Sequence, residues 1–328
     1  VADTLPGRVR LLGTPAEEKG GGKELMARAG AFDGIDAALM IHPAGVNLTA
    51  MPCICVAEVS VVYHGRSAHA SAMPHKGINA LDGLLLAYQA ISNLRQHIRN
   101  RERIHGIVTE GGQAPNIVPD RAAGEFYVRA ANEKDLAALK PRVQACFEAG
   151  AKGSGCEVEV RWADVDYLDL NTNAPLAATF QRHGESLGRE FLPAEALGGA
   201  GSTDMGNVSY RTPSIHPMLA CAPPNVVIHN PEFARWAGSE TGDLAALDGA
   251  RALALGALWS WLENQTGAAT KLIPLGQTDA QRLLDRMLPD LPAVVDIAVT
   301  LSADDLGAGL PGLAFASARH EHQYTRLF

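Results

Sequence analysis

Between residues 56 and 165 the chain changes rhythm in an order that few folds can accommodate. VAEVSVVYHG alternates apolar and polar residues with the period of two of a strand, and INALDGLLLAYQAISNLRQHI then carries its apolar residues at helical spacing. IHGIVTEGG and GEFYVRA return to the strand pattern, EKDLAALKPRVQACFEAGAKG to the helical one, and CEVEVRW closes the run as a strand. The order β-α-β-β-α-β predicts a ferredoxin-like split sandwich, one sheet face covered by both helices and an outer strand or helix free for pairing.

The flanking sequence reads as an open α/β domain. Arg8 to Leu12 predicts a short strand, KELMARAG a helix and Ala37 to Ile41 a second strand, a βαβ unit whose strands should be parallel neighbours. After about Asp169 the pattern predicts a helix over Pro175 to Arg189, a polar glycine-rich loop in GGAGSTDMGNVSY and a short strand over Ser214 to Leu219. A strand in PPNVVIHNPEF and a long Ala/Leu-rich helix over Thr241 to Leu262 follow. The expected organisation is one α/β domain made of residues 1–55 and 169–264, an inserted lid domain over 56–168, and a less regular tail over 265–328 to which the pattern assigns no role.

Bulk properties remove some function classes. A formal charge of −8, from 36 acidic and 28 basic residues, gives no general attraction to nucleic acid or to an anionic membrane. No apolar run reaches the roughly 20 residues a membrane helix needs; the nearest, Leu244 to Leu262, is interrupted by Asp248 and Arg251. Cys53, Cys55, Cys146, Cys156 and Cys221 are odd in number, which points to a reducing, cytoplasmic setting, and Cys53 and Cys55 lack the C-x-x-C spacing of redox or zinc pairs. The chain opens without an initiator Met or signal peptide, as though a segment upstream were missing.

Glu17 and Glu18 follow the first predicted strand, and His42 ends the second, so both lie where open α/β folds place ligands. On spacing alone a Glu-Glu pair is as readily a solvated surface feature, and His229, before Asn230-Pro231, as readily structural. Together, carboxylate and imidazole form a common hydrolytic metal shell in which one Glu binds the ion and its neighbour accepts a proton from water. His64, His69 and His75 are irregularly spaced for ligands on one helix, and turn or capping roles are the plain alternative. Arg129 suits a substrate carboxylate or an ordinary ion pair. GSTDMGNVSY lacks the ending of a phosphate-binding loop, and no G-x-S-x-G elbow supports a Ser202, Asp204 and His229 triad.

GTPAEEKGGGKELMARAG, MIHPA, GRSAHASAMPHKGINALDG, GGQAPNIVPDRAAGEFYVRA, GSTDMGNVSY and VVIHNPEFA occur in that order over roughly residues 8 to 262. The ordered set resembles the M20-type metallopeptidases, especially their amidohydrolase branch of aminoacylases, indoleacetyl-amino-acid hydrolases and β-alanyl-dipeptidase-like proteins. The resemblance implies an α/β/α zinc-peptidase-like catalytic domain carrying a ferredoxin-like lid and dimerisation domain. It implies Glu17 as general base, and Glu18, His42 and His229 as ligands of a divalent metal, zinc first and manganese or cobalt after it. His69 would reach the partner's active site and steady the oxyanion, while Asn116 and Arg129 would hold the substrate's carbonyl or carboxylate. The implied reaction is hydrolysis of an amide bond in an N-acyl amino acid or dipeptide by a homodimer with no nucleic-acid or membrane partner. The branch's upstream Gly-Cys-Gly-His-type segment has no counterpart before Arg8. That departure keeps two alternatives in view: a noncatalytic, dimerising relative, and a hydrolase of nonpeptide C–N bonds.

Overall fold

The first regular element is a helix. In the computed structural model, which describes residues 10–194, 201–272 and 277–300, residues 10–12 of the expected first strand run irregularly with Leu11 96% exposed, and residues 8 and 9 lie outside the described part. Among the described residues no strand pairs with this segment, so its backbone has no ladder to join. A turn over residues 17–20 leads into α1 (Gly22–Arg28). The expected second strand is divided into β1 (Ala38–Leu39) and β2 (His42–Ala44), followed by β3 (Asn47–Leu48). His42 therefore opens a strand instead of closing one.

The lid follows the order expected of it: β4 (Cys55–His64), α2 (Ala80–Leu94), β5 (Arg103–Glu110), β6 (Arg121–Ala130), α3 (Glu133–Ser154) and β7 (Glu157–Trp162). Its four-stranded antiparallel sheet has the order β5-β6-β4-β7, the ferredoxin-like arrangement. The helices begin where polar side chains replace missing backbone partners: Asn79 Oδ1 accepts from the N–H groups of Leu81 and Asp82, and Asn132 Oδ1 from that of Asp135. Val59, Val61 and Tyr63 alternate on one face of β4 and pack with Leu84, Ile91, Phe126 and Phe147 into a closed core. The Tyr63 hydroxyl keeps its hydrogen bond inside that core, donating to the Phe147 carbonyl at 2.8 Å.

The outer frame continues with α4 (Ala174–Ser186), β8 (Phe191–Leu192), α5 (Met205–Ser209), β9 (Ser214–Ile215), β10 (Met218–Ala220), α6 (Pro231–Ala237) and α7 (Glu240–Leu272). The glycine-rich segment expected to be a loop thus carries α5, with Gly198, Gly199 and Ala200 outside the described residues. No strand forms in PPNVVIHNPEF; Asn230 caps α6, accepting from Phe233 N–H at 2.9 Å, and Pro231 stands in the first turn, where its missing N–H costs nothing. β1 pairs in parallel with β9, and β2 with β10, at one continuous register: Ala38 with Ser214, His42 with Met218. Ile215 and Leu219 point to the face covered by Leu176, Phe180 and Ala252 of α4 and α7. His42 and His216 lie on the opposite face.

The tail is more regular than its sequence suggests. α7 runs to Leu272, and α8 (Gln277–Met287) and α9 (Leu291–Thr300) fold back on it around Leu255, Leu284, Leu291 and Val295. Residues 301–328 lie outside the described part. Asp248, which interrupts the apolar stretch of α7, accepts from the Arg189 guanidinium at 2.8 Å, and no described helix is long and apolar enough to cross a membrane.

Candidate active site

The Glu17-Glu18 turn has an uncommon backbone held from two sides. Ala16 has φ 63°, a left-handed conformation costly for a side chain, and Gly20 and Gly21 follow at 94° and 64°. A Cβ on Gly21 would overlap Val165 and press on the Tyr167 ring, so glycine is needed there for space as well as for φ. The Tyr167 hydroxyl donates to the Glu17 carbonyl at 2.7 Å and accepts from Gly21 N–H at 3.0 Å. Burial above all, with Asp204 and Glu17 close by, pushes this phenol up to about 12, so it acts as a neutral donor. From the other side Asp204 accepts from Lys23 N–H at 2.8 Å and from Lys23 Nζ at 2.7 Å, both side chains being almost wholly buried.

His229 reaches the same turn from 211 positions further along the chain. It sits in the bend before α6 with φ 63°, and its Nδ1 lies 3.9 Å from Glu18 Oε1 in an exposed pair. Strained backbone therefore adjoins both halves of this contact. His42 donates from Nδ1 to the Pro43 carbonyl at 2.7 Å, which leaves Nε2 with a free lone pair.

Sequence reasoning missed His216. Its ring centre is 5.8 Å from that of His42, it is fully buried, and neither ring nitrogen has a hydrogen-bond partner. Burial, reinforced by His42 and Lys23, drives its pKa down to about 3, so the imidazole is neutral. The signal was available in the repeated Ile-His-Pro of residues 41–43 and 215–217, which the parallel register staggers by two residues, His42 standing opposite Met218 on the face that also carries His216. Among the described residues no three His, Cys, Asp or Glu side chains are positioned to share a metal ion.

The remaining predicted residues divide between the two ends of the lid sheet. Arg129, next to the crossing between lid and frame, donates from Nη1 to Ser202 Oγ at 2.8 Å and from Nε to His105 Nε2 at 3.2 Å. Ser202 in turn donates to the Ile54 carbonyl. His69 and Asn116 share a different corner, where Ala70 N–H donates to the Asn116 carbonyl and His69 pairs with Ile117. That corner lies beyond the His64-Arg121 end of the sheet, whereas Arg129 pairs with Val56. Eight residue steps of strand separate the two ends by about 26 Å. His69 and Asn116 are exposed, and within one protomer they are not brought to Arg129 or Glu17. Of the cysteines, Cys53 and Cys55 are buried and their thiols are pushed up, Cys53 to about 12, by burial first and nearby carboxylates second; they are poor thiolate ligands. All five cysteines are free.

Comparison with known proteins bears on the fold and the family. Residues 56–154 match the family profile of the peptidase dimerisation domain, and residues 245–288 match the profile of UreF. The chain is 39% identical over 260 residues to the Xaa-Arg dipeptidase of Mus musculus, covering 79% of this chain and 60% of the relative. It thus spans about three fifths of the length of that curated relative. A further stretch of 76 residues, 23% of this chain and 34% of the relative, is 58% identical to the urease accessory protein UreF of Teredinibacter turnerae. The UreF profile begins inside α7 and takes in α8, so the tail resembles a second protein. Among solved structures, a dinuclear metal-binding peptidase of the M20 family from Bacillus subtilis superposes with a TM-score of 0.52 at 20% identity, covering 74% of this chain and 62% of that one. An α/β frame, a ferredoxin-like insert matching the dimerisation domain and extended identity to a dipeptidase converge on one likeness: over most of its length this chain is similar to the M20 peptidases and amidohydrolases.

Proposed function

We propose that the chain carries the general base, part of the metal shell and the lid of a metal-dependent amidohydrolase that cleaves dipeptides or N-acyl amino acids. The observation that carries this reading is the approach of His229 to Glu18, two strained segments distant in sequence that bring imidazole and carboxylate to one point. The donor types fit a divalent ion such as zinc, with manganese or cobalt as alternatives. Glu18 and His229 would hold it, and His42, which the described structure does not bring into one three-donor set with them, is the further ligand to test. When bound, such an ion lowers the pKa of a water from about 16 toward 7 and so supplies a nucleophile at neutral pH.

Glu17 takes the proton of the attacking water and returns it to the leaving amine. Arg129 can exchange its Ser202 contact for a bidentate grip on the substrate's carboxylate, fixing the scissile bond. The mouse relative's name makes a dipeptide ending in arginine the first substrate to try. Titrating the full chain with zinc, then adding an Xaa-Arg dipeptide or an N-acyl amino acid, should give metal-dependent amine release; metal bound without turnover of either class would overturn the enzyme reading. His229→Ala should weaken zinc binding by at least about tenfold, since even groups that only support ligands contribute that much. Unchanged affinity would remove His229 from the site.

The 26 Å sheet supports service of His69 and Asn116 to a neighbouring protomer across the dimerisation domain, where a donor steadies the developing oxyanion. His69→Ala and Glu17→Ala protomers, each nearly inactive alone, should recover about a quarter of wild-type turnover when mixed with full exchange, because half the dimers hold one complete site. No recovery after verified exchange would rule out service of His69 to the partner's site. A second reading, a noncatalytic dimerising relative, is favoured by the lack of any three-donor set among the described residues. Negligible zinc binding by the intact chain would decide for it.

A further inference from the structure

The lid joins the frame at two crossings, and they meet. Val56, entering the lid, and Tyr167, leaving it, exchange both backbone hydrogen bonds at 2.9 Å. Val56 also faces Arg129 across the sheet, so this pair is the last rung between lid and frame. The Tyr167 side chain leaves that rung and ends on the Glu17-Glu18 turn, its hydroxyl taking one hydrogen bond from Gly21 N–H and giving one to the Glu17 carbonyl. Val165, two residues earlier on the same crossing, fills the space that a Cβ on Gly21 would need.

We infer that Tyr167 is a positioning residue that fixes the backbone of the general base and makes its placement depend on the posture of the lid. The inference rests on the reading of Glu17 as the base. One short side chain connects the hinge rung to the residue whose carboxylate must meet the attacking water. The turn it holds is flanked by Ala16 at φ 63°, a conformation that a residue with a side chain keeps only while its surroundings enforce it, and closes through Gly20 and Gly21, which adopt positive φ freely. Asp204, of the frame, clasps the first turn of α1 through Lys23, whereas Tyr167, of the hinge, clasps the Glu17-Glu18 turn itself. A rotation of the lid that shifts residues 165–167 must therefore move Glu17, whereas the Asp204 clasp would hold α1 in place. Closure of the lid over substrate and alignment of the base become one event. This provides a physical route by which binding energy collected on the lid, at Arg129, is used at the scissile bond.

Tyr167→Phe keeps the ring and removes the hydroxyl, so the fold should survive while Glu17 O and Gly21 N–H lose their partner. In the full-length variant, hydrogen exchange at residues 17–22 should rise by about tenfold, the cost of one hydrogen bond, while β4 and β6 stay protected as in wild type. In steady-state assays with an Xaa-Arg dipeptide and zinc, kcat should fall by about tenfold with KM changed less than twofold, because ground-state contacts are untouched and only the base is misplaced. Gly21→Ala, which pushes Val165 away from the turn, should show the same kcat-against-KM split. If exchange rises but neither wild type nor variant turns over substrate, the clasp stands and the assignment of Glu17 as base falls. If exchange in residues 17–22 is unchanged, or if kcat and KM shift together, Tyr167 is not a positioning residue.

Discussion

Replacing Glu17 by Gln is expected to lower kcat of the zinc-loaded chain by roughly a thousandfold, within the range that general acid–base catalysis contributes. The amide keeps the size and the hydrogen-bonding backbone of the turn, so Tyr167 and Asp204 still hold it. It cannot accept the proton of the attacking water. Zinc affinity should stay within about twofold of wild type, because a base that is not a ligand contributes little to binding. Glu18→Gln should do the reverse, weakening zinc first and activity with it. The pair of variants separates two neighbouring carboxylates by role: equal losses of zinc affinity in both would mean that the assignment of base and ligand is wrong. Isothermal titration with zinc and release of free arginine from an Xaa-Arg dipeptide measure the two quantities independently.

The lid was legible because its elements are long and locally determined. Ten residues of alternation in β4 and helices of 15 and 22 residues carry their own periodicity, and Asn79 and Asn132 mark helix starts by a capping chemistry visible in the sequence. The frame was harder. Its strands have two or three residues, and β1 and β2 are stabilised by partners more than 170 positions away, a pairing for which a short apolar run gives no local sign. Val226, Val227 and Ile228 have strand propensity, yet Asn230-Pro231 is a helix start, and the capping signal won over the apolar run. In the tail, Pro and Gly between short apolar stretches obscured two helices whose buried residues face α7.

The chemistry divided in the same way. Glu17, Glu18, His42 and His229 could be named because each is a reactive side chain in a recognisable string. Lys23, Tyr167 and His216 could not, because a lysine in a glycine-rich turn, a tyrosine after a strand and a histidine in an apolar run are ordinary until the fold buries them. Their roles are properties of the assembled frame: an ion pair sealed from water, a hydroxyl aimed at two backbone groups and an imidazole with neither nitrogen satisfied.

Removing the carboxylate of Asp204 should have the largest effect on stability. The Lys23 side chain is 3% exposed and that of Asp204 wholly buried, and they meet at 2.7 Å. Asp204→Ala would strand the ammonium and also orphan Lys23 N–H near the start of α1. Truncating one partner of a buried pair costs about 3–5 kcal/mol, because the charge that remains has lost both water and its counter-ion. Lys23→Met alone should cost a similar amount by leaving the carboxylate unpaired. The double variant Lys23→Met with Asp204→Leu should regain most of this loss, since two apolar side chains need no solvation, but not all of it. The Lys23 amide would still lack an acceptor, a residual cost of about 1–3 kcal/mol. Urea denaturation of the four proteins yields the coupling directly. A single variant within 1 kcal/mol of wild type, or a double variant no better than either single, would mean that the pair is open to water and that α1 is anchored elsewhere. Zinc affinity gives the functional half of the result: the double variant should fold yet bind zinc more weakly than wild type, because the frame would no longer fix the turn that carries Glu18.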